Sequence, residues 1–99
     1  MSEATITFQQ GEALRRYGRA YERAQGSGNA EKRMVAQDVL RAARRDLTSQ
    51  EVAILDMVAG RGNSITGLVQ KTGQPQGALM RLLTGAAVKL AEHFEKAGD

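Results

Sequence analysis

Seven arginines fall in two clusters, Arg15, Arg16, Arg19 and Arg23, then Arg41, Arg44 and Arg45. A guanidinium presents fixed N–H donors that match phosphate and carboxylate oxygens. The chemistry these clusters point to is contact with nucleic acid or with an acidic protein surface. The plainer reading is ordinary surface pairing, because Glu12, Glu22, Glu31, Asp38 and Asp46 are interspersed with them. On residue types alone the two readings stand level.

A second set, Gln74, Gln76, Met80, Arg81 and Thr84, opens the last predicted helix. Glutamine pairs with adenine and arginine with guanine or a phosphate, so these side chains would be the readers if that helix entered a major groove. Yet Lys71 and Arg81 are the only basic residues from Gly62 to Val88. Affinity for DNA comes mostly from neutralised phosphates, so this unit alone is expected to hold DNA weakly.

Nothing in the chain suggests catalysis or a cofactor. His93 is the only histidine, and it stands beside Glu92 and Glu95, where a surface or packing role is the ordinary one. Asp56, in "VAILDMV", has no evident carboxylate partner for acid–base work. The stretch "GRGNS" lacks the spacing and the lysine of a phosphate loop. No metal site is expected from four scattered methionines and no cysteine.

The elements that must position these residues read as helices throughout. In "GEALRRYGRAYERAQG", Leu14, Tyr17, Tyr21 and Ala24 share one helical stripe, and Gly18 costs about 1 kcal/mol relative to alanine. "QGSGNAE" breaks the chain, with Asn29 a candidate cap. The next helix, "AEKRMVAQDVLRAARRD", would turn Met34 or Val35, Val39, Leu40 and Ala43 inward. Thr48 and Glu51 match a capping box for a third helix, whose apolar face is Val52, Ile54, Leu55 and Val58, and Gly60 and Gly62 end it.

Ser64 caps a short helix that Gly73 terminates, and Pro75 suits the first turn of the last one. That helix buries Leu79, Leu82, Leu83, Ala86, Leu90 and Phe94, with Gly85 read as a close crossing of another helix. The expected fold is all-α: a small bundle with a helix-turn-helix-like tri-helical core over 48–59, 64–72 and 75–94, preceded by one or two helices. Residues 1–10 read as a flexible arm, with 6–9 able to start a helix. Residues 11–46 read as a basic helical segment and 47–97 as the core, all within one compact domain.

Composition narrows the setting. At 99 residues and 41% apolar, the chain can build one modest core. Only four residues are aromatic, so aliphatic side chains must fill that core. The absence of cysteine rules out disulfides and fits a cytoplasmic protein. No apolar run spans a membrane, and "MSEATITFQQGE" does not read as a signal peptide. From Gly11 to Asp46 there are nine Lys/Arg against five Asp/Glu, and from Leu47 to Asp99 five against five. The basic half therefore precedes the helix-turn-helix rather than coinciding with it.

The run "RRYGRAYERA" followed by "LTSQEVAILDMVAGRGNSITGLVQKTGQPQGALMRLLTGAAVKLAEHF" resembles the small alphaproteobacterial domain of gene transfer agent activators. That family has a tyrosine-containing first helix, a helix-turn-helix-like unit and an ending like "LxxLAxHY". Leu83, Ala87, Leu90, Ala91, His93 and Phe94 supply the matching texture here. Pro75 is kept at the turn, but Gln74 precedes it where the family often has tryptophan. The resemblance, over about 11–94, implies a regulator of a phage-like gene transfer agent cluster that contacts RNA polymerase.

Some members stand alone and look like antitermination factors working with a DNA-binding co-activator. A chain that starts at Met1 and has no room for a second domain resembles that form. On this reading Arg15, Arg16, Arg19, Arg23, Arg41, Arg44 and Arg45 meet polymerase or nascent RNA. The alternative is a sequence-specific helix-turn-helix activator reading DNA through Gln74, Gln76 and Arg81. An adaptor that binds another regulator through Met80 and Leu83 is the third.

Overall fold

The computed structural model describes residues 6–26 and 29–96. The expectation of a loose segment before Ile6 lies outside them, as do Ser27 and Gly28 of the predicted break and Ala97 of the predicted core. Among the described residues there is helix and no strand: α1 Phe8–Ala24, α2 Ala30–Arg44, α3 Ser49–Leu55, α4 Ile65–Thr72 and α5 Gln76–Lys96. A π-helical turn, Asp56–Gly60, continues α3.

Local chemistry explains most of the boundaries. The Thr7 hydroxyl accepts from the Gln10 N–H while the Gln10 side chain accepts from the Thr7 N–H, so α1 begins at Phe8, inside the stretch read as an arm. Asn29 caps α2 by accepting from Lys32 N–H. Thr48 and Glu51 form the expected capping box on α3. Ser64 caps α4, and Gly73 ends it at φ 75°, a left-handed conformation that glycine adopts without steric cost. Pro75 donates nothing, and its carbonyl accepts from Ala78 and Leu79 to start α5.

The core runs through every element. Tyr17, Ile54, Leu55, Leu68 and Leu90 are its largest fully buried side chains, and α5 adds Leu79, Leu83, Ala86, Ala87 and Phe94. α3 and α4 both pack on α5, which gives the helix-turn-helix-like core, and α1 lies across α5 and the π turn. α2 runs back along α1.

Two packing details differ from the sequence reading. On α2 the inward residues are Ala36, Leu40 and Ala43, while Met34 and Val35 are 63% and 59% exposed and Val39 lies at the surface. Two apolar stripes overlap on this helix. Packing against α1 selects the one with two alanines, which lets the backbones approach.

The close crossing falls at Gly18 rather than Gly85. A Cβ on Gly18 would sit 2.4 Å from the Ala59 carbonyl oxygen, whereas one on Gly85 would meet only the Glu51 carboxylate, at 3.7 Å. Gly60 completes the crossing, because a Cβ there would press into the Tyr21 ring at 2.7 Å.

Candidate functional site

The first polar cluster lies where the π turn begins. The Arg61 N–H donates to the Asp56 carbonyl at 2.9 Å, the i to i−5 bond that marks the wider winding, and the Asp56 side chain meets α1. There the buried Tyr17 hydroxyl donates to Asp56 Oδ1 at 2.6 Å. Arg44, from the end of α2, donates through Nε to the Tyr17 hydroxyl at 2.9 Å and through one terminal nitrogen to both Asp56 oxygens at 2.9 and 3.1 Å. Three elements are thereby clasped by one carboxylate.

The electrostatics follow. Burial pushes the Tyr17 phenol well above its ordinary value, and the Asp56 carboxylate it donates to adds to the rise. Burial works against the Arg44 charge, but its bonds to Tyr17 and Asp56 outweigh that and hold the guanidinium above its usual range. Burial holds the phenol in its neutral form, and each of the three groups bonds to the other two. The cluster is a structural clasp.

The two arginine clusters of the sequence are divided among several tasks. Arg15 pairs with Glu12, and Arg41 with Asp38 at 3.1 Å, each on its own helix and well exposed. Such pairs contribute little, on the order of 0–1 kcal/mol for Arg41–Asp38. Arg16 lies over the Phe94 ring with its guanidinium carbon 4.4 Å from the centroid. Arg44 belongs to the clasp. Arg45 is exposed and, with Arg41 and Arg44, borders a hollow against Tyr21 and Gln37. Arg19 and Arg23 are exposed on the other side of the α1–α2 pair.

That other side carries an open cleft of about 590 Å³. Ala20 of α1, Ala36, Val35 and Val39 of α2, and Phe94 of α5 supply apolar walls. Arg16, Arg19, Arg23 and Lys32 stand around it, with Glu31 the one carboxylate of its lining. Among the described residues no carboxylate lies within ion-pair distance of Arg19, Arg23 or Lys32.

The set at the start of α5 is partly presented. Gln74, Gln76 and Arg81 are exposed, and Met80 is half-buried. Thr84 differs, because its hydroxyl oxygen is buried without a hydrogen-bond partner among the described residues, so it presents no donor to solvent. Glu51 is buried, and Lys89 of α5 donates to its carboxylate at 2.9 Å. His93 packs edge-on to Phe94, with centroids 5.3 Å apart.

Among the described residues no group of three or more His, Cys, Asp or Glu could hold a metal ion, and no helix is long and apolar enough to cross a membrane. The sequence reading missed the cleft because it turned Met34 or Val35, and Val39, inward. The available signal was Ala36, which stands four residues before Leu40 and continues the stripe that Leu40 and Ala43 begin. It also missed the clasp, for which the signal was a lone aspartate inside an apolar helix.

Comparison of the chain with protein-family models, curated proteins and solved structures finds no significant match. The functional reading therefore rests on the residues themselves and on the resemblance stated above.

Proposed function

We propose that this protein is a transcription regulator of a phage-like gene transfer agent cluster, acting through contact with RNA polymerase as an antitermination or elongation factor. The observation that carries this reading is where the charge lies. Across α4 and the exposed start of α5 the basic residues are Lys71 and Arg81, while Arg19, Arg23 and Lys32 gather round a cleft with apolar walls on α1 and α2. A surface that mixes cations with exposed valines suits an acidic protein better than a phosphate backbone, which offers an apolar wall nothing to bury. The resemblance to gene transfer agent activators supplies the identity of the partner, and a DNA-binding co-activator is the further partner it implies.

The test is transcription in vitro through an intrinsic terminator with purified RNA polymerase. Read-through is expected to rise when the protein is added and to stay at background with Arg19→Glu/Arg23→Glu. Unchanged read-through with both proteins, with and without a DNA-binding co-activator, would remove the antitermination reading.

The second reading is direct sequence-specific DNA binding by α5. It is favoured by the exposure of Gln74, Gln76 and Arg81 at the end of α5 that a helix-turn-helix presents to bases. Footprinting of paired half-sites, lost with Arg81→Ala, is the result that would select it.

A further inference from the structure

We infer that the cleft between α1 and α2 is a docking groove for an amphipathic α-helix of a partner protein, with apolar residues on one face flanked by Asp or Glu. The inference deepens the polymerase reading and rests on it only in taking the partner to be a protein.

The shape comes first. The cleft lies between two helices running side by side and is closed at one end by Phe94 with Arg16 stacked on it. Its volume, about 590 Å³, falls in the range of ordinary binding sites. It is open to solvent, however, and no buried polar groups converge in it as they would to orient a small molecule. Val35 at 59% exposure and Val39 at 36% lose water only if something apolar is laid over them.

The charge chooses the occupant. Arg16, Arg19 and Arg23 recur at spacings of three and four, so they line one edge over about 10 Å, two turns of helix. Lys32 stands at the facing edge, on α2. A helix lying in the groove repeats its own side chains at the same period. Apolar residues at i, i+3 or i+4, and i+7 would rest on Val35, Val39 and Ala20, and carboxylates beside them would meet Arg19, Arg23 and Lys32. An RNA or DNA strand would meet the same cations but would leave the valines uncovered, and the groove offers no open aromatic face on which bases could stack, since Arg16 covers Phe94. A second copy of the chain would bring cations against cations.

The test is selection of random sixteen-residue peptides displayed against the full chain, followed by titration of the winners at two salt concentrations. Enriched peptides are expected to carry helical-period apolar residues with flanking Asp or Glu. They should shift the amide resonances of Ala20, Ala36 and Val39, and lose affinity about tenfold or more with Val35→Glu and with Arg19→Glu/Arg23→Glu. Arg45→Glu, on the other face of the helix pair, should leave them bound. Both cleft variants change exposed side chains, so their helicity serves as the folding control.

No enrichment, enrichment without acidic residues, binding indifferent to the cleft variants, or displacement by a short RNA or DNA oligonucleotide that itself requires Val35 would each overturn the inference. Polymerase-dependent read-through by a chain that selects no such peptides sinks the groove alone. Acidic helices selected by a chain without effect on transcription sink the polymerase reading alone.

Discussion

The Tyr17 hydroxyl and the Asp56 carboxylate, thirty-nine positions apart in the chain, share a hydrogen bond of 2.6 Å. The bond ties the middle of α1 to the π turn, and Arg44 closes it from α2 by bonding to both partners. The helix pair that carries the cleft is thus fastened to the helix-turn-helix-like core.

The clasp is asymmetric, and its variants should show it. Tyr17→Phe removes one hydroxyl and leaves Arg44 paired, at a cost of about 1–2 kcal/mol. Asp56→Ala leaves both the Tyr17 hydroxyl and the Arg44 guanidinium without their acceptor, for about 2–4 kcal/mol. Urea unfolding followed by circular dichroism measures both. Equal losses would mean that the carboxylate is not the centre of the cluster.

Two glycine substitutions should have opposite signs. Gly18→Ala drives a methyl to 2.4 Å from the Ala59 carbonyl oxygen, so overpacking of about 1–3 kcal/mol is expected to outweigh the gain in helix propensity. Gly85→Ala meets only ordinary contact at 3.7 Å and should raise stability by about 0.5–1 kcal/mol. Their melting temperatures should therefore move apart.

Acid should loosen the attachment of α3 to α5. Burial alone would raise the Glu51 carboxyl, but the Thr48 N–H and the Lys89 ammonium pull it below its ordinary 4.5. A carboxylate depressed in the folded state stabilises fully above the unfolded value and loses that contribution as pH falls through the folded one. Glu51→Gln should therefore be less stable at pH 7 and show a flatter decline below 4.5. Parallel declines in the two proteins would show that Glu51 is not a source of the acid sensitivity. At the alkaline end the raised Tyr17 phenol favours its protonated form, so stability should fall as pH climbs above 10.0.

Duplex DNA should bind weakly and with a shallow salt dependence. If Lys71 and Arg81 are the cations that α4 and α5 bring to phosphates, the slope of log K against log salt is about −2 or less steep. Anisotropy titrations over a range of salt measure it. A slope several times steeper, reduced by Arg81→Ala, would favour the DNA reading.

Local signals carried far in this chain. Thr48 with Glu51, Ser64, Gly73 and Pro75 marked the boundaries of α3, α4 and α5 because caps and turns depend on a few neighbouring residues. What was not legible depended on distant partners. Leu40 and Ala43 are buried as expected, but whether α2 adds Val39 or Ala36 to them is settled by how closely α1 approaches, and neither helix encodes that alone. The π turn has no local signature, and the Tyr17 hydroxyl that meets Asp56 at its start lies on another helix. Gly18 looked like a weakness of α1 because the Ala59 carbonyl that it accommodates lies elsewhere in the chain. For the candidate site, the residue types were plain, but their division into clasp, surface pairs and cleft required the fold.

The most direct measurement is capture of RNA polymerase by the tagged protein from nuclease-treated lysate at about 0.15 M salt, near physiological ionic strength. Polymerase is expected to be retained by the wild type and by Gln76→Ala/Arg81→Ala, and lost with Arg19→Glu/Arg23→Glu. Loss of polymerase from the wild type on nuclease treatment, with specific DNA fragments recovered from the untreated sample, would contradict the proposal and turn attention to α5.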